Sequence, residues 1–247
     1  MIIIISPAKK MKAEDDVLPY KQMPVFVKDA EIILNYLKSL NYNKLKQIWK
    51  CNDKIAALNF NRIKDMNLYG KLSPAIFAYE GIQYQYMAPG IFTYDELSYA
   101  EEHLRILSGL YGVLRPFDGV VPYRLEMQSK FNEWDYKPLY EFWKDKIAVE
   151  IQTKDKIILN LASDEYSKVI SKYLASDVRF INCVFGEIIE GRIIEKGTLA
   201  KMARGEMVRF MAENFIEGIE DIKKFDRLNY KFSDKLSEKN KLVFIRM

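Results

Sequence analysis

The chain opens on an unbroken apolar run, Ile2-Ile3-Ile4-Ile5, closed by Ser6-Pro7. Four β-branched residues without polar alternation predict a strand buried on both faces, as in a parallel sheet. A second largely apolar stretch, Ile157 to Leu161, leads into Ala162-Ser163-Asp164-Glu165 and predicts another buried strand. Between the two, helical spacing prevails. Ala30, Ile33, Leu34 and Leu37 recur at helical intervals, as do Leu45, Ile48 and Trp49 after a turn at residues 41–43. Residues 25–49 therefore read as two helices, and residues 12–24, polar with two prolines, as a loop. Asn52-Asp53 caps a further helix to about Met66. Ile82, Tyr84 and Tyr86 alternate with Gln83 and Gln85, which predicts an extended strand ended by Pro89-Gly90. Thr93-Tyr94-Asp95-Glu96 is a capping box. The stripe Leu97, Ala100, Leu104 and Leu107 then predicts a helix closed by Gly109 in a left-handed cap.

Farther on, Leu139, Phe142, Trp143 and Ile147 predict a helix over residues 138–151. Residues 179–189 read as a longer strand that Gly191 turns back into Ile193-Ile194. Gly197-Thr198 opens a helix of about twenty residues, ending near Gly218 or Phe225, and residues 229–232 and 242–245 suit a terminal hairpin. Strands and helices intermingle without strict alternation. The expectation is an α+β fold, a single domain over residues 1–247, with a mixed β-sheet surrounded by helices rather than a regular doubly wound sheet.

Composition narrows the class. Of 247 residues, 49% are hydrophobic, 29% charged and 13% aromatic, a globular balance far from disorder. A net charge of +4 permits a local nucleic-acid patch without demanding one. Cys51 and Cys183 are far apart and form no CxxC, as expected of reduced thiols in a cytosolic protein. The single histidine, His103, excludes a multi-histidine metal site and disfavours a His-dependent triad. The N-terminus is too short and too uncharged for a signal peptide, and no run nears the ~20 apolar residues of a membrane span. The chain is expected to be soluble, cytoplasmic and without a membrane partner. No Walker loop, GxGxxG or zinc-ligand spacing occurs, so no cofactor or metal is predicted.

Candidate chemistry gathers in three places. The first is the pair of strand ends, Ser6-Pro7-Ala8-Lys9 and Ala162-Ser163-Asp164. If the strands are parallel neighbours, Lys9 and Ser163 face one crevice where sheets of this kind bind ligands; taken singly, a snorkelling lysine and a helix-capping serine are the simpler accounts. The second is the late helix, where Arg204 shares a face with Val208 and Met211 and follows Lys201 by one turn. An arginine on an apolar stripe needs an anion, supplied either by a ligand or by a core carboxylate. Gly205 beside it weakens the helix, which suggests a close approach there. The third is the segment holding Arg105, Arg115 and Arg124 around Gly109 and Gly112. Pro116 keeps Arg115 extended, Glu126 is a local partner for Arg124, and Asp118-Gly119 reads as a plain turn.

Five motifs, in order, carry a family resemblance: Ser6-Pro7-Ala8-Lys9, the stretch from Leu107 to Pro116, Pro122-Tyr123-Arg124-Leu125-Glu126-Met127, the stretch from Asn160 to Tyr166, and Ala203-Arg204-Gly205. Together they closely resemble the YaaA peroxide-stress protein family. The resemblance implies a bacterial cytoplasmic protein of the hydrogen-peroxide response, linked to limiting free intracellular iron. It also implies an α+β domain with a positively charged cleft, DNA binding, and a helix–hairpin–helix-like element best matched by residues 97–118. In this chain the hairpin Leu107-Ser108-Gly109-Leu110-Tyr111-Gly112 holds one tyrosine more than the usual spacing. After Tyr79 the family pattern Phe-Lys-Gly-Asp-Val-Tyr is replaced, and Ile82 stands where an aspartate is common.

Two functions follow. In the first, the protein binds DNA without sequence preference and in a salt-sensitive way, through Lys9, Arg105, Gly109, Gly112, Arg115, Arg124, Lys201, Arg204 and Arg209. In the second, Lys9, Ser163, Asp164 and Arg204 converge on a small anionic ligand, as an enzyme acting on a phosphorylated or nucleotide-like substrate. Direct iron binding is weakly supported, so an effect on iron is expected to be indirect.

Overall fold

The run Ile2–Ile5 forms strand β1, and all four side chains are buried. The computed structural model describes residues 1–13, 18–131, 134 and 138–247. The loop expected over residues 12–24 is thus described except for residues 14–17, which lie outside the described residues. β1 has a parallel neighbour on each side, β2 (Leu104–Ser108) and β4 (Ile157–Leu161). β3 (Gly112–Leu114) returns antiparallel to β2. Beyond β4 lie β5 (Arg179–Ile189) and then β8 (Lys241–Arg246), both parallel. β6 (Arg192–Ile194) folds back on β5, and β7 (Tyr230–Phe232) closes the far edge antiparallel to β8. The eight-stranded mixed sheet reads β7-β8-β5-β4-β1-β2-β3, with β6 attached to β5. A strand with parallel neighbours and covered faces must be apolar throughout, which is why the isoleucine run sits at the centre.

Helices pack against this sheet where local signals start them. Asn41 and Asn52 accept the Lys44 and Ile55 N–H groups at 3.0 Å and cap the helices Tyr42–Trp49 and Asp53–Asp65. The capping box is formed: Glu96 N–H donates to Thr93 Oγ1 at 3.2 Å, and Thr93 N–H to Glu96 Oε2 at 2.8 Å. Among the described residues, no helix is long and apolar enough to cross a membrane.

Several local expectations are corrected. The helix after Thr93 ends at His103, not at Gly109, because Leu104 to Ile106 pair with β1 in the register Ile3↔Leu104, and Ile106 to Ser108 pair with β3. Five buried residues gain more as a sheet strand than as further helical turns. Residues 97–118 are therefore a helix, a β-hairpin and a turn, and the helix–hairpin–helix-like element is not formed there. The left-handed glycine is Gly112, with φ +71° in the hairpin, rather than Gly109. Residues 82–87 are a helix, not a strand, with Gln83, Tyr84 and Met87 on its buried side. The helix expected over residues 138–151 breaks at Lys144, whose φ is 42°, into Leu139–Trp143 and Lys146–Gln152. The late helix stops at Glu213, and Ile219–Ile222 is a separate turn of helix.

The close approach suggested by Gly205 is made by the helix Ile82–Met87, which packs on Gly197–Glu213. A Cβ at Gly205 would collide with Gln83 O and lie 2.9 Å from Met87 N. The colliding atoms are backbone and cannot rotate away. Gly205→Ala should cost at least the ~1–3 kcal/mol of an overpacked core. It should therefore lower the melting temperature by several degrees in a thermal denaturation, whereas Gly197→Ala, with open space around it, should not.

Candidate functional site

β1 and β4 run in parallel to the register Ile5↔Leu161, so the residues that follow them emerge side by side. Ser163 N–H donates to Ser6 Oγ at 2.9 Å, and the two hydroxyl oxygens are 3.2 Å apart. Tyr84 OH donates to Ser6 O at 3.0 Å and ties the helix Ile82–Met87 to the same strand end. A cavity of about 400 Å³ opens at this point, walled by residues 6–10, 80–84 and 123–126, by Ser163, Glu165 and Tyr166, and by Lys201 and Arg204. This is the crevice outside the carboxyl ends of parallel strands where ligands of such sheets bind.

Two walls are set by backbone contact. A Cβ at Gly109 would lie 2.6 Å from Leu125 O, so glycine there lets the segment Arg124-Leu125-Glu126 lie against the hairpin. Trp143 Nε1 donates to Gly109 O at 3.1 Å and holds the other side. Gly205 does the same for the helix carrying Gln83. The floor is tyrosine-rich. Tyr123 OH bonds Tyr79 OH at 2.8 Å and Ser108 Oγ at 2.6 Å, and burial pushes the Tyr123 phenol up to about 12. These hydroxyls stay neutral, and their hydrogen bonds are already used within the protein.

The charged groups form a partly paired set. Lys9 Nζ lies 2.8 Å from Glu126 Oε2, and Arg124 Nη2 lies 3.3 Å from Glu126 Oε1. Arg204 Nη2 lies 3.3 Å from Glu195 Oε2, and Lys10 pairs with Glu80 at 3.0 Å on the rim. Arg124 Nε, Arg204 Nε and Gln83 Nε2 are buried and have no hydrogen-bond partner among the described residues. Burial, and secondarily the Glu126 carboxylate, raises the Glu165 carboxyl above the ordinary glutamate range, while it accepts Gln128 N–H at 3.2 Å. Burial also raises Glu195, opposed by Arg204. Cys183 is buried, with its thiol pushed up to about 12, far from thiolate chemistry.

Of the positions singled out in the sequence, Lys9, Arg124, Ser163, Lys201 and Arg204 come together on this cavity. The others do not. Asp164 is exposed, outside the wall and near Glu195. Arg105 is buried on β2 and donates to the Glu101 and Leu104 carbonyls at 3.0 and 2.7 Å. Arg115 donates to Asp118 Oδ1 at 3.2 Å, and Asp118 also accepts the Arg115 N–H and Gln22 Nε2 at 2.9 Å, so the plain-turn reading of Asp118 holds. Arg209 is paired with Glu213 at 2.7 Å. Gly109 and Gly112 serve packing and turn geometry. Gln83, Glu165 and Glu195 were not singled out. Gln83 hid in an alternating stretch, and only the Gly205 contact could have pointed to it. Among the described residues, no group of three or more His, Cys, Asp or Glu is placed to hold a metal ion.

Comparison with known proteins agrees with the family resemblance. The family model described as peroxide stress protein YaaA matches residues 1–236. The chain belongs to the YaaA peroxide-stress protein family. Its relatives include a UPF0246 protein of Lachnoclostridium phytofermentans, 54% identical over 246 residues, covering 100% of this chain and 96% of the relative. A UPF0246 protein of Desulfitobacterium hafniense is 53% identical, covering 100% and 98%. One of Pediococcus pentosaceus is 50% identical, with the same coverage. In this member of the YaaA family Ile82 forms an apolar part of the cavity wall.

The raised Glu165 carboxyl has a measurable consequence. A carboxyl whose folded pKa lies above its unfolded value costs stability once ionised, so the cost is present at high pH and gone below the ordinary glutamate range. Glu165→Gln keeps the Oε1 acceptor for Gln128. The variant should be more stable than the parent at about pH 8, with the gain fading toward about pH 4 in urea unfolding.

Proposed function

We propose that this chain serves the peroxide-stress response by binding, and acting on, a phosphorylated or nucleotide-like small molecule in the cavity at the ends of β1 and β4. One observation carries the reading: Lys9, Arg124, Lys201 and Arg204, from three separate segments, converge on one recess whose lining residues also hold buried N–H donors without partners among the described residues. Guanidinium forks in a recess suit phosphate oxygens. The Ser6–Ser163 hydroxyl pair offers further hydrogen bonds, and Glu165, held more protonated than an ordinary glutamate, is the proton-transfer group of the site.

DNA binding is the second reading. It is favoured by Lys9, Lys10 and Lys201, which stand exposed on the rim where a phosphate backbone could lie. Such binding would be sequence-independent and would weaken steeply with salt. It draws less on the recessed arginines, and Arg115 and Arg209 are already engaged by carboxylates. On either reading the link to limiting intracellular iron is indirect.

Thermal denaturation with nucleotides, sugar phosphates or duplex DNA separates the two. A small phosphorylated ligand at a hundredfold excess over its Kd should add about 2.7 kcal/mol, or roughly 5–10 °C for a chain of this size. Arg204→Ala should abolish the shift. A shift given by DNA alone, and lost at physiological salt, would replace the first reading with the second.

A further inference from the structure

We propose that Arg124, Arg204 and Gln83 form a subsite for one terminal, doubly charged phosphate, a monoester and not a phosphodiester. The inference rests on the reading of the cavity as a small-anion site and names the group that the site takes.

The donors indicate the ligand's shape. Among the described residues, five buried side-chain nitrogen or oxygen atoms lack a hydrogen-bond partner, and three of them belong to residues on this one cavity: Arg124 Nε, Arg204 Nε and Gln83 Nε2. All three are N–H donors. A buried donor left unpaired carries a desolvation cost that only an acceptor relieves. A phosphate monoester presents three non-bridging oxygens, whereas a diester presents two.

The tethers support the same group. Among the described residues each arginine is held through Nη2, Arg124 to Glu126 and Arg204 to Glu195, both at 3.3 Å. One-point tethers orient the guanidinium planes and leave the Nε edges for a second acceptor. Charge agrees as well. Lys9, Lys10, Arg124, Lys201 and Arg204 outnumber Glu80, Glu126 and Glu165 around the cavity and Glu195, the partner of Arg204, by one positive charge, which favours an anion. Depth excludes a backbone running past. Gln83 is 7% exposed, and the side chains of Arg124 and Arg204 are 12% and 16% exposed, so a ligand must enter by a chain end.

Calorimetric titration of the full chain with methyl phosphate and dimethyl phosphate tests this at about pH 8, where the monoester is a dianion. Methyl phosphate should bind at least about tenfold more tightly than dimethyl phosphate. Arg124→Lys keeps the charge but loses the fork, and Gln83→Leu keeps the volume but loses the donor. Each should weaken methyl phosphate about tenfold and narrow the difference between the two esters. Equal binding of both esters overturns the subsite and leaves the cavity an anion site. Failure of both esters, with nucleotides still raising the melting temperature, overturns the subsite but not the proposed function. Failure of esters and nucleotides alike overturns both.

Discussion

The parallel ladder between β1 and β4 is the constraint on which the rest of this molecule depends. β1 is wholly buried and apolar, and β4 is apolar but for Asn160, which bonds Asn182, so neither can sit at an exposed edge, and their pairing in the sheet centre removes both from water. Because the strands end at Ile5 and Leu161 in register, Ser6 and Ser163 leave the sheet together and bond one another. The cavity is a by-product of that ending. Two chains diverge from adjacent strand ends, and the space between them opens to incoming side chains.

Two backbone contacts, each requiring a missing Cβ, supply the rest of the wall. At Gly109 the hairpin admits the segment carrying Arg124 and Glu126. At Gly205 the long helix admits the short one carrying Gln83. Both contacts join residues distant in sequence, and both deliver polar side chains to the same recess. The glycines therefore act through position, by letting two other segments come close, rather than by touching a ligand.

Arginine has two uses in this fold. Arg105 and Arg115 stand near Glu101 and Asp118, where they help hold the turn that follows β3. Burial raises the Asp118 carboxyl, while the Arg115 N–H and guanidinium and the Gln22 amide oppose the shift. There the donors and acceptors are matched. At the cavity they are not, since each of Arg124 and Arg204 meets its carboxylate through one nitrogen and keeps a buried donor in reserve. The contrast between a saturated cluster and an unsaturated one separates a structural role from a binding one.

Residues 2–5 and 157–161 declared themselves as buried strands because a short apolar run, unbroken in the first and interrupted by Asn160 alone in the second, has few other places to go. The helix caps at Asn41, Asn52 and Thr93 were legible for a similar reason: a side chain bonding an N–H three residues on is a local event. The family motifs likewise marked Lys9, Arg124, Ser163 and Arg204 by their neighbours in the chain. What tertiary structure alone decided was conformation where local preference was balanced. Leu104 and Leu107 fit a helical stripe but joined the sheet because β1 offered a partner, and Ile82 to Tyr86 alternated like a strand but coiled because the late helix offered a groove at Gly205. Tertiary structure also sorted the arginines. A guanidinium has the same sequence signature whether it ends beside a carboxylate or beside open space, and only the packing of distant segments settles which.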